Sequence, residues 1–387
     1  MPGGQVLVIA HHFPPASGSG SNRALAFARY LPMFGWRPTV LTPGARWALN
    51  CDTHLLRELP PELRVVRTRS LEPTPERAAP TGAVRQSVPS TMLSPLRNQL
   101  GHLRRFPDAH MGWLPFALSV GLRERYDVAY SSSGPFTSHM VGLLLKRITG
   151  RPWVAELRDG WYHWNRSIFP DYPRWRDALE RRLEAIAIRS ADRVVLVTDR
   201  MAEAFREQYA ELPRDHFTVV ANGFDPYQCC AADGEHRERT GGWVVLHAGA
   251  LYYGRSVTAF LEAARRLVES DAAFGHDFRL RLLGTLDGEA RREVERSNLG
   301  YRVELFPQAS HAEAIRSMRT ADALLLIANT TPGAEATVPG KLFEYLAVGR
   351  PVLAIAPPES STADVLHQTG GGWLTAADNV DAIGYAL

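Results

Sequence analysis

Short, nearly continuous apolar runs alternate with amphipathic segments along almost the whole chain, and this alternation constrains the fold most strongly. A continuous apolar run is typical of a strand that is buried on both faces of a parallel sheet. The segments between the runs have the apolar spacing of helices. The pattern therefore predicts repeated β-α-β units of the α/β class. In the first half, the predicted strands are Val6–Ala10, Thr39–Leu41, Arg64–Val66, Val128–Tyr130, Trp153–Leu157, Val194–Val197 and Thr218–Val220, and the predicted helices are 22–32, 138–148, 174–189 and 200–209.

The alternation breaks once and then starts again. Residues 225–242 contain Pro226, two adjacent cysteines, a charged stretch and a Gly-Gly pair, which is typical of a linker. We expect an N-terminal domain over residues 1–225, a linker over 226–242 and a C-terminal domain over 243–387. Both domains are predicted to be Rossmann-like and doubly wound, with an interdomain cleft beyond the carboxyl ends of the strands. The predicted strands of the second domain are Val244–His247, Arg279–Leu283, Val303–Phe306, Ala323–Ile327 and Val352–Ile355, and its predicted helices are 257–269, 312–318 and 341–348.

Length and composition fit two globular domains and argue against other classes. The chain has 387 residues, of which 45% are hydrophobic and 22% are charged, so there is material for two cores. A net charge of +3 gives no indication of nucleic-acid binding. Three cysteines are too few for a disulfide framework or a metal site. No signal peptide and no apolar run of roughly 18 to 20 residues is present, so we expect a cytoplasmic location.

Two glycines, Gly18 and Gly20, lie between the first predicted strand and its helix. Glycines allow backbone N–H groups to approach an anion, and the N-terminus of the following helix adds a positive dipole. The spacing differs from the G-x-G-x-x-G fingerprint, which argues against a nicotinamide-dependent oxidoreductase. Taken alone, the loop is as compatible with a plain Gly/Ser turn as with a phosphate-binding loop.

Two segments of the second half place cations beside predicted helix starts. Arg255 follows the loop around Gly249 and can bind a phosphate through its planar fork, although a surface arginine is an equally good interpretation. Lys341 lies in a first helical turn, where the dipole disfavours a cation unless an anion is bound beside it. Glu344 follows one turn later and can accept hydrogen bonds from a vicinal diol, the alternative being a solvated helix residue.

Charged residues also follow a predicted strand of the first half. Arg158 and Asp159 come directly after the strand that ends at Leu157, so their side chains are expected at the ligand-binding edge of the sheet. A structural Arg-Asp pair is the alternative interpretation.

The irregular segment 70–113 is rich in Pro, Arg and Ser, and a loop of this length is uncommon in a compact domain. It contains basic residues between apolar ones. A solvated loop is one interpretation of this cluster, and a surface that docks an anionic membrane or a lipid-linked acceptor is the other. The cluster consists of Arg97, His102, Arg104 and Arg105 with Leu93, Leu96, Leu100, Leu103 and Phe106.

Taken together, these motifs resemble the family 4 glycosyltransferases, whose architecture of two Rossmann domains is called GT-B. The resemblance covers nearly the whole chain and is strongest to a bacterial, retaining subgroup. The residues that carry it are Ser133-Gly134-Pro135-Phe136 with Ser138-His139, Pro152–Ala155 with Arg158-Asp159, Pro107-Asp108 with Gly112-Trp113, and Val338 to Tyr345.

The resemblance implies a role for each matching position. Arg255 and Lys341 would stabilise the donor diphosphate, and Glu344, as the last acid of an E-x7-E motif, would hold the ribose. Asp159 would face the transferred sugar, with His12 and Arg158 also on the acceptor side. Asp159, Arg255, Lys341 and Glu335 are the implied catalytic residues, and the implied donor-binding residues are Gly18, Gly20, Gly249, Arg255, Gly284, Pro307, Gln308, Lys341 and Glu344.

The sequence departs from the family pattern at three places. The first acid of E-x7-E would fall at Ala336, whereas the acid present is Glu335. An arginine usual after the loop glycine is replaced by Ala250. The resemblance also implies further helices after Leu387 that cross back to the first domain.

The implied reaction is the retaining, metal-independent transfer of a sugar from a UDP- or GDP-linked donor to an acceptor hydroxyl. Polysaccharide, glycolipid or natural-product glycosylation is the expected setting, with an acceptor that is lipid-linked at the inner membrane face as one option. The residues leave two alternatives open: a nucleotide-sugar epimerase of the same fold, and a non-catalytic subunit that binds nucleotide sugars.

Overall fold

A computed structural model of the chain describes residues 3–48, 51–72, 101–102, 106–161, 173–230, 242–251, 255–331 and 333–387. The chain divides into two compact units, Met1–Ala221 and Asn222–Leu387. Most of the basic cluster in segment 70–113 and residues 231–241 of the predicted linker lie outside the described residues. The beginning of that linker, Pro226–Cys230, is a helix that packs against helices of the second unit.

The first unit is built on a parallel sheet of seven strands in the order β3-β2-β1-β4-β5-β6-β7. Its strands are β1 Gln5–Ile9, β2 Arg37–Pro43, β3 Arg64–Thr68, β4 Val128–Ser132, β5 Trp153–Leu157, β6 Arg193–Leu196 and β7 Phe217–Val219. Its helices are α1 Ser19–Tyr30, α2 Leu114–Gly121, α3 Thr137–Thr149, α4 Arg174–Ser190 and α5 Asp199–Gln208.

The second unit carries a parallel sheet of six strands in the order β10-β9-β8-β11-β12-β13. Its strands are β8 Trp243–Ala248, β9 Phe278–Leu283, β10 Val303–Phe306, β11 Ala323–Ile327, β12 Val352–Ile355 and β13 Gly372–Thr375. Its helices are α6 Pro226–Cys230, α7 Thr258–Ser270, α8 Ala272–Asp277, α9 Gly288–Arg296, α10 His311–Thr320, α11 Lys341–Val348, α12 Ser361–Thr369 and α13 Val380–Ala386.

Both faces of the second sheet are buried, which explains its continuous apolar strands. Leu325 packs into the hydrophobic cluster on one face, and its neighbours Leu324 and Leu326 pack into the cluster on the other. Successive side chains of a strand point to opposite faces, so a strand covered on both sides must be apolar at every position. The predicted class, two tandem Rossmann-like doubly wound domains, is confirmed.

Helix caps fix where the chain turns away from the sheet. In the capping box at the start of α10, the Ser310 hydroxyl accepts from the N–H of Glu313, and the Glu313 side chain accepts from the N–H of Ser310. Thr198 caps α5 in a similar way through the N–H of Met201. In the described part of the chain, no helix combines the length and the apolar composition that a bilayer span requires.

Candidate functional site

The predicted donor residues of the second unit meet at the carboxyl edge of its sheet. Gly249 follows β8 directly, Gly284 follows β9 directly, and Lys341 is the first residue of α11. Ligands of doubly wound sheets bind at this edge.

Gly249 makes the space that Lys341 occupies. A β carbon at Gly249 would lie 2.5 Å from Nζ and 3.1 Å from Cε of Lys341. Gly249 also has a φ of 127°, which side chains other than hydrogen rarely allow. The glycine is therefore required both by its own backbone and by the ammonium group that covers it.

Gly284 brings the next loop against the first. Its φ is 138°, and a β carbon there would lie 2.5 Å from the carbonyl oxygen of Gly249. The N–H of Gly249 donates to Leu283 O at 2.7 Å, and that of Gly284 donates to Phe306 O at 3.1 Å. Two backbone segments without side chains thus pack side by side next to Lys341.

Lys341 lies against a histidine that sequence reasoning did not single out. Its Nζ is 3.3 Å from Nε2 of His247, and Nδ1 of His247 lies 2.9 Å from Leu325 O. A carbonyl accepts only, so Nδ1 carries the proton and Nε2 presents its lone pair to the ammonium. Burial, with the charge of Lys341, holds the pKa of His247 well below its usual range, so the ring is neutral.

The same surroundings make Lys341 an unusual cation. Burial is the largest effect and the charge of Arg255 the next, and together they lower the pKa of Lys341 to about 7 although Glu344 opposes the shift. Lys341 is therefore close to half protonated at neutral pH. An anion bound here would restore its full charge.

Arg255 contributes a second positive charge. It reaches Lys341 and His247 electrostatically, and its Nη1 donates to Ala250 O at 3.4 Å. The arginine usual after the loop glycine is absent at Ala250, so positive charge at this loop comes from Arg255 and Lys341.

Glu344 lies one turn into α11, where the predicted ribose contact belongs. Its Oε1 is 3.0 Å from Nε2 of His311, the first residue of α10. His311 thus orients the carboxylate from a neighbouring helix. Because the contact joins two helices that are distant in the sequence, no local sequence signal could have identified it.

Tyr345 anchors the last residue of β8, after which the Gly249 loop begins. Its hydroxyl accepts a hydrogen bond from the N–H of Ala248 at 2.8 Å, and the ring is fully buried. Burial raises the pKa of Tyr345, so the phenol stays neutral and remains a hydrogen-bonding anchor.

Three predicted site residues lie in exposed positions. Glu335 is exposed on a short 3-10 turn, and its carboxylate accepts from the N–H of Gly333 at 2.8 Å. In the described residues, no hydrogen bond or ion pair joins Glu335 to Lys341, Arg255 or Glu344. Pro307 and Gln308 are exposed in the loop between β10 and α10. Their roles remain predictions.

In the first unit, Gly18 and Gly20 serve different structural purposes. Gly18 caps α1 with a φ of 117°, and a β carbon there would meet no atom within 4 Å. Gly20 lies in the first turn, where a β carbon would lie 2.6 Å from Nη1 of Arg158. Gly20 thus leaves room for a guanidinium, and the diphosphate contact of both glycines remains a prediction.

Arg158 is fixed by backbone oxygens next to α1. Its Nε donates to Ser133 O at 2.9 Å, and its own N–H donates to the Ser133 hydroxyl at 2.9 Å. Over the described ranges, Arg158 forms no ion pair, and its guanidinium donates to Ser133 O and Gly134 O. Asp159 follows it at the carboxyl end of β5, and its predicted role stays untested.

His12 lies in a cluster that was only partly anticipated. Its ring centroid is 5.9 Å from that of His110 and 5.2 Å from that of His11. Glu72 joins the cluster through an ion pair of 2.8 Å to Nδ1 of His110. Glu72 and His110 both fall in the segment 70–113, whose low regularity gave no signal for this pairing.

Sequence profiles identify both halves of the chain. The profile of the glycosyl transferase 4-like domain matches residues 18–223, which is more than half of the chain. The profile of glycosyl transferases group 1 matches residues 242–387. Among curated proteins, none has a sequence that matches the chain.

Solved structures share the fold at low sequence identity. Anabaena HepE, in complex with UDP and glucose, has a TM-score of 0.62 and 16% identity, covering 99% of this chain and 89% of its own. WaaG, a glycosyltransferase involved in lipopolysaccharide biosynthesis, has a TM-score of 0.64 and 14% identity, covering 99% and 89%. The UDP-GlcNAc 2-epimerase of Methanocaldococcus jannaschii has a TM-score of 0.52 and 9% identity, covering 100% and 91%. With both profiles matched and this architecture in place, the chain belongs to the glycosyl transferase 4-like family and has the GT-B fold of the family 4 glycosyltransferases.

Proposed function

We propose that the protein is a retaining, metal-independent glycosyltransferase that moves a sugar from a nucleotide-diphosphate donor to an acceptor hydroxyl. Membership in the glycosyl transferase 4-like family supports the reaction class. The similar HepE structure contains UDP and glucose, which supports a uridine donor. The fold of WaaG, involved in lipopolysaccharide biosynthesis, fits an acceptor of the cell envelope.

The observation that carries this proposal is the position of Lys341 over Gly249. Burying a cation beside Arg255 is costly unless an anion is bound there. Two glycine loops without side chains pack closely together at the same point. A diphosphate satisfies both requirements, because it supplies negative charge and needs close backbone approach.

Lys341 and Arg255 then act mainly by electrostatics. As the bond between the anomeric carbon and the phosphate oxygen breaks, negative charge grows on the leaving diphosphate. Cations placed in advance around that charge stabilise the transition state, usually the largest single contribution to such catalysis. His247 stays neutral and its lone pair keeps the ammonium aimed at the loop.

Glu344 positions the nucleotide instead of taking part in bond breaking. Its carboxylate, oriented by His311, accepts hydrogen bonds from the two ribose hydroxyls. The donor is thereby fixed at one end while its diphosphate meets Lys341 at the other, which holds the anomeric carbon in a reactive position.

The first unit supplies the acceptor side of the proposal. Asp159, Arg158 and His12 lie at the carboxyl edge of its sheet, where an acceptor hydroxyl and the transferred sugar would bind. The hydroxyl oxygen bonds to the anomeric carbon on the face that the diphosphate leaves, and its proton passes to a donor phosphate oxygen. We propose a lipid-linked acceptor at the inner membrane face, with the basic segment 97–105 as a contact.

Incubation with UDP- and GDP-sugars, with and without a panel of lipid-linked and soluble acceptors, tests this function. The proposal predicts acceptor-dependent release of nucleoside diphosphate, and a product with the donor's anomeric configuration by NMR. The shared fold of the Methanocaldococcus epimerase makes epimerisation the relevant competitor. An isomerised sugar formed from donor alone, with no glycosylated acceptor, would replace the proposal with that one.

A further inference from the structure

Three histidines of the first unit lie close together. His11 and His12 follow β1 after Ala10, and His110 precedes the short turn Met111–Trp113. The ring centroids of His11 and His110 are only 4.1 Å apart. One ring nitrogen from each of the three lies within 4.8 Å of the other two.

His11 has polar atoms that the protein leaves unsatisfied. Its side chain is 1% exposed, and neither ring nitrogen has a hydrogen-bond partner in the part of the chain that the structure describes. Oε2 of Glu72 lies 3.5 Å from Nε2, within ion-pair range but long for a hydrogen bond. Buried ring nitrogens are nearly always paired, so an orphaned pair indicates a bound water or ion at this point.

Glu72 has the geometry of a carboxylate that supports a metal-binding histidine. Its Oε2 accepts from Nδ1 of His110 at 2.8 Å, and its Oε1 accepts from the Ser70 hydroxyl at 2.8 Å. With Nδ1 engaged, Nε2 of His110 carries the lone pair. Metal-ligating histidines typically donate their other N–H to such a carboxylate, which fixes the ring and its tautomer.

We propose that His11, His12 and His110 form a binding site for one divalent cation of the zinc class. An imidazole-only set favours zinc over magnesium or calcium, which prefer oxygen ligands. Imidazole nitrogens that bind a tetrahedral zinc ion lie about 3.4 Å apart. The three ring nitrogens here lie within 4.8 Å of one another, so zinc binding must bring them closer by up to about 1.4 Å. Three protein ligands leave a fourth position open to water.

The site contains none of the donor residues of the second unit, although His12 is also assigned to the proposed acceptor side. Its residues belong to the first unit, whereas Lys341, Arg255 and Glu344 belong to the second. Loss of the cation would therefore leave nucleotide binding by the second unit intact, and failure of either proposal would leave the other standing.

Titration of the metal-free full-length chain with Zn²⁺ and Co²⁺ tests the site. Calorimetry should give one cation per chain with a dissociation constant in the micromolar range or tighter, and Co²⁺ should develop the visible absorption of a tetrahedral site. His12→Ala and His110→Ala should each weaken binding at least tenfold, and Glu72→Gln by about tenfold or more. His276→Ala, at a histidine with 86% side-chain exposure, is the matched control and should bind as the wild type does.

His11 is buried, so its variant can fail to fold; the partly exposed His12 and His110 keep the test valid. Thermal unfolding of both variants checks that they are folded. Absence of binding at about 100 µM Zn²⁺ would overturn the proposal, because a site built for zinc binds the ion more tightly than that. Equal affinity in wild type, His12→Ala and His110→Ala would overturn it as well.

Discussion

The ammonium nitrogen of Lys341 occupies the position that a side chain at Gly249 would fill, since a β carbon at Gly249 would lie 2.5 Å from Nζ. Lys341 and Gly249 are far apart in the sequence, yet the Lys341 side chain fits only because Gly249 has no side chain. The proposed donor site of this family 4 glycosyltransferase depends on that relationship, and the predictions below follow from it and from its surroundings.

Gly249→Ala should displace Lys341 from the loop. We expect kcat/KM for the nucleotide sugar to fall on the order of 10², because the cation no longer faces the diphosphate. Gly349→Ala is the matched control, since Gly349 also has a positive φ of 74° but a β carbon there meets no atom within 4 Å. Steady-state kinetics of both variants separate displacement from backbone strain. Equal losses in the two variants would attribute the effect to strain.

Lys341→Met should lower turnover by a factor on the order of 10² or more while making the ligand-free protein more stable to heat. The gain in stability is expected because a buried cation beside Arg255 is removed. Arg296→Met, at an exposed residue of the same unit, removes a cation without this burial and should change neither quantity appreciably. Turnover assays and thermal unfolding without donor check both parts. A less stable, fully active Lys341→Met variant would contradict them.

Donor affinity should fall as the pH rises through the neutral range. The pKa of Lys341 is lowered to about 7 in the free protein, and a bound diphosphate raises it again. Below pH 7 the ammonium is already charged and affinity is full; above it, binding must take up a proton, and affinity falls by up to about tenfold per pH unit. Calorimetry from pH 6 to 9 in buffers of different ionisation enthalpy measures this uptake. Lys341→Met should lose it, and a flat wild-type profile would refute the assignment.

Glu344→Ala should lower kcat/KM on the order of 10², and the loss should depend on the ribose hydroxyls. A 2′-deoxy donor should be used about tenfold less well by the wild type and no worse than the normal donor by Glu344→Ala, which is a double-mutant cycle across the contact. His311→Asn should give a smaller loss, about threefold to tenfold, because it only orients the carboxylate. Additive losses from the deoxy donor and Glu344→Ala would show that this carboxylate does not touch the ribose.

Glu156→Gln should destabilise the first unit without touching the donor site. Glu156 and Arg23 form a buried ion pair of 2.7 Å, with side-chain exposures of 0% and 8%. Arg23 also donates to Val220 O and Ala221 O, so it links α1 to the end of the unit. Removing one buried partner costs about 3–5 kcal/mol. Glu211→Gln, which breaks an exposed pair with Arg189, should unfold close to the wild type in the same denaturant titration.

The fold was predictable because both sheets are buried on both faces, so their strands are continuous apolar runs. The sequence missed β13, Gly372–Thr375, because three consecutive glycines precede its apolar residues and indicate a turn. It also missed α2, Leu114–Gly121, whose uniformly apolar composition has little helical periodicity. Only Ala117 and Gly121 of this helix are buried, so its apolar composition gives no indication of which face packs against the sheet.

The candidate site was predictable residue by residue but not as an arrangement. The position of Lys341 in a first helical turn indicated an anion, whereas its contact with His247 joins the start of α11 to β8, which come together only in the folded unit. The pairing of Glu344 with His311 joins two helices and leaves no local signal. The sequence places the acid Glu335 near the E-x7-E motif. It could not show that the carboxylate accepts a hydrogen bond from the N–H of Gly333.

The most direct measurement is a crystal structure of the full chain with a UDP- or GDP-sugar bound. The account predicts a diphosphate oxygen about 2.7–2.9 Å from Nζ of Lys341, with a second oxygen in reach of Arg255 and the ribose hydroxyls on Glu344. A sugar nucleotide bound with its phosphates far from both cations would contradict the account.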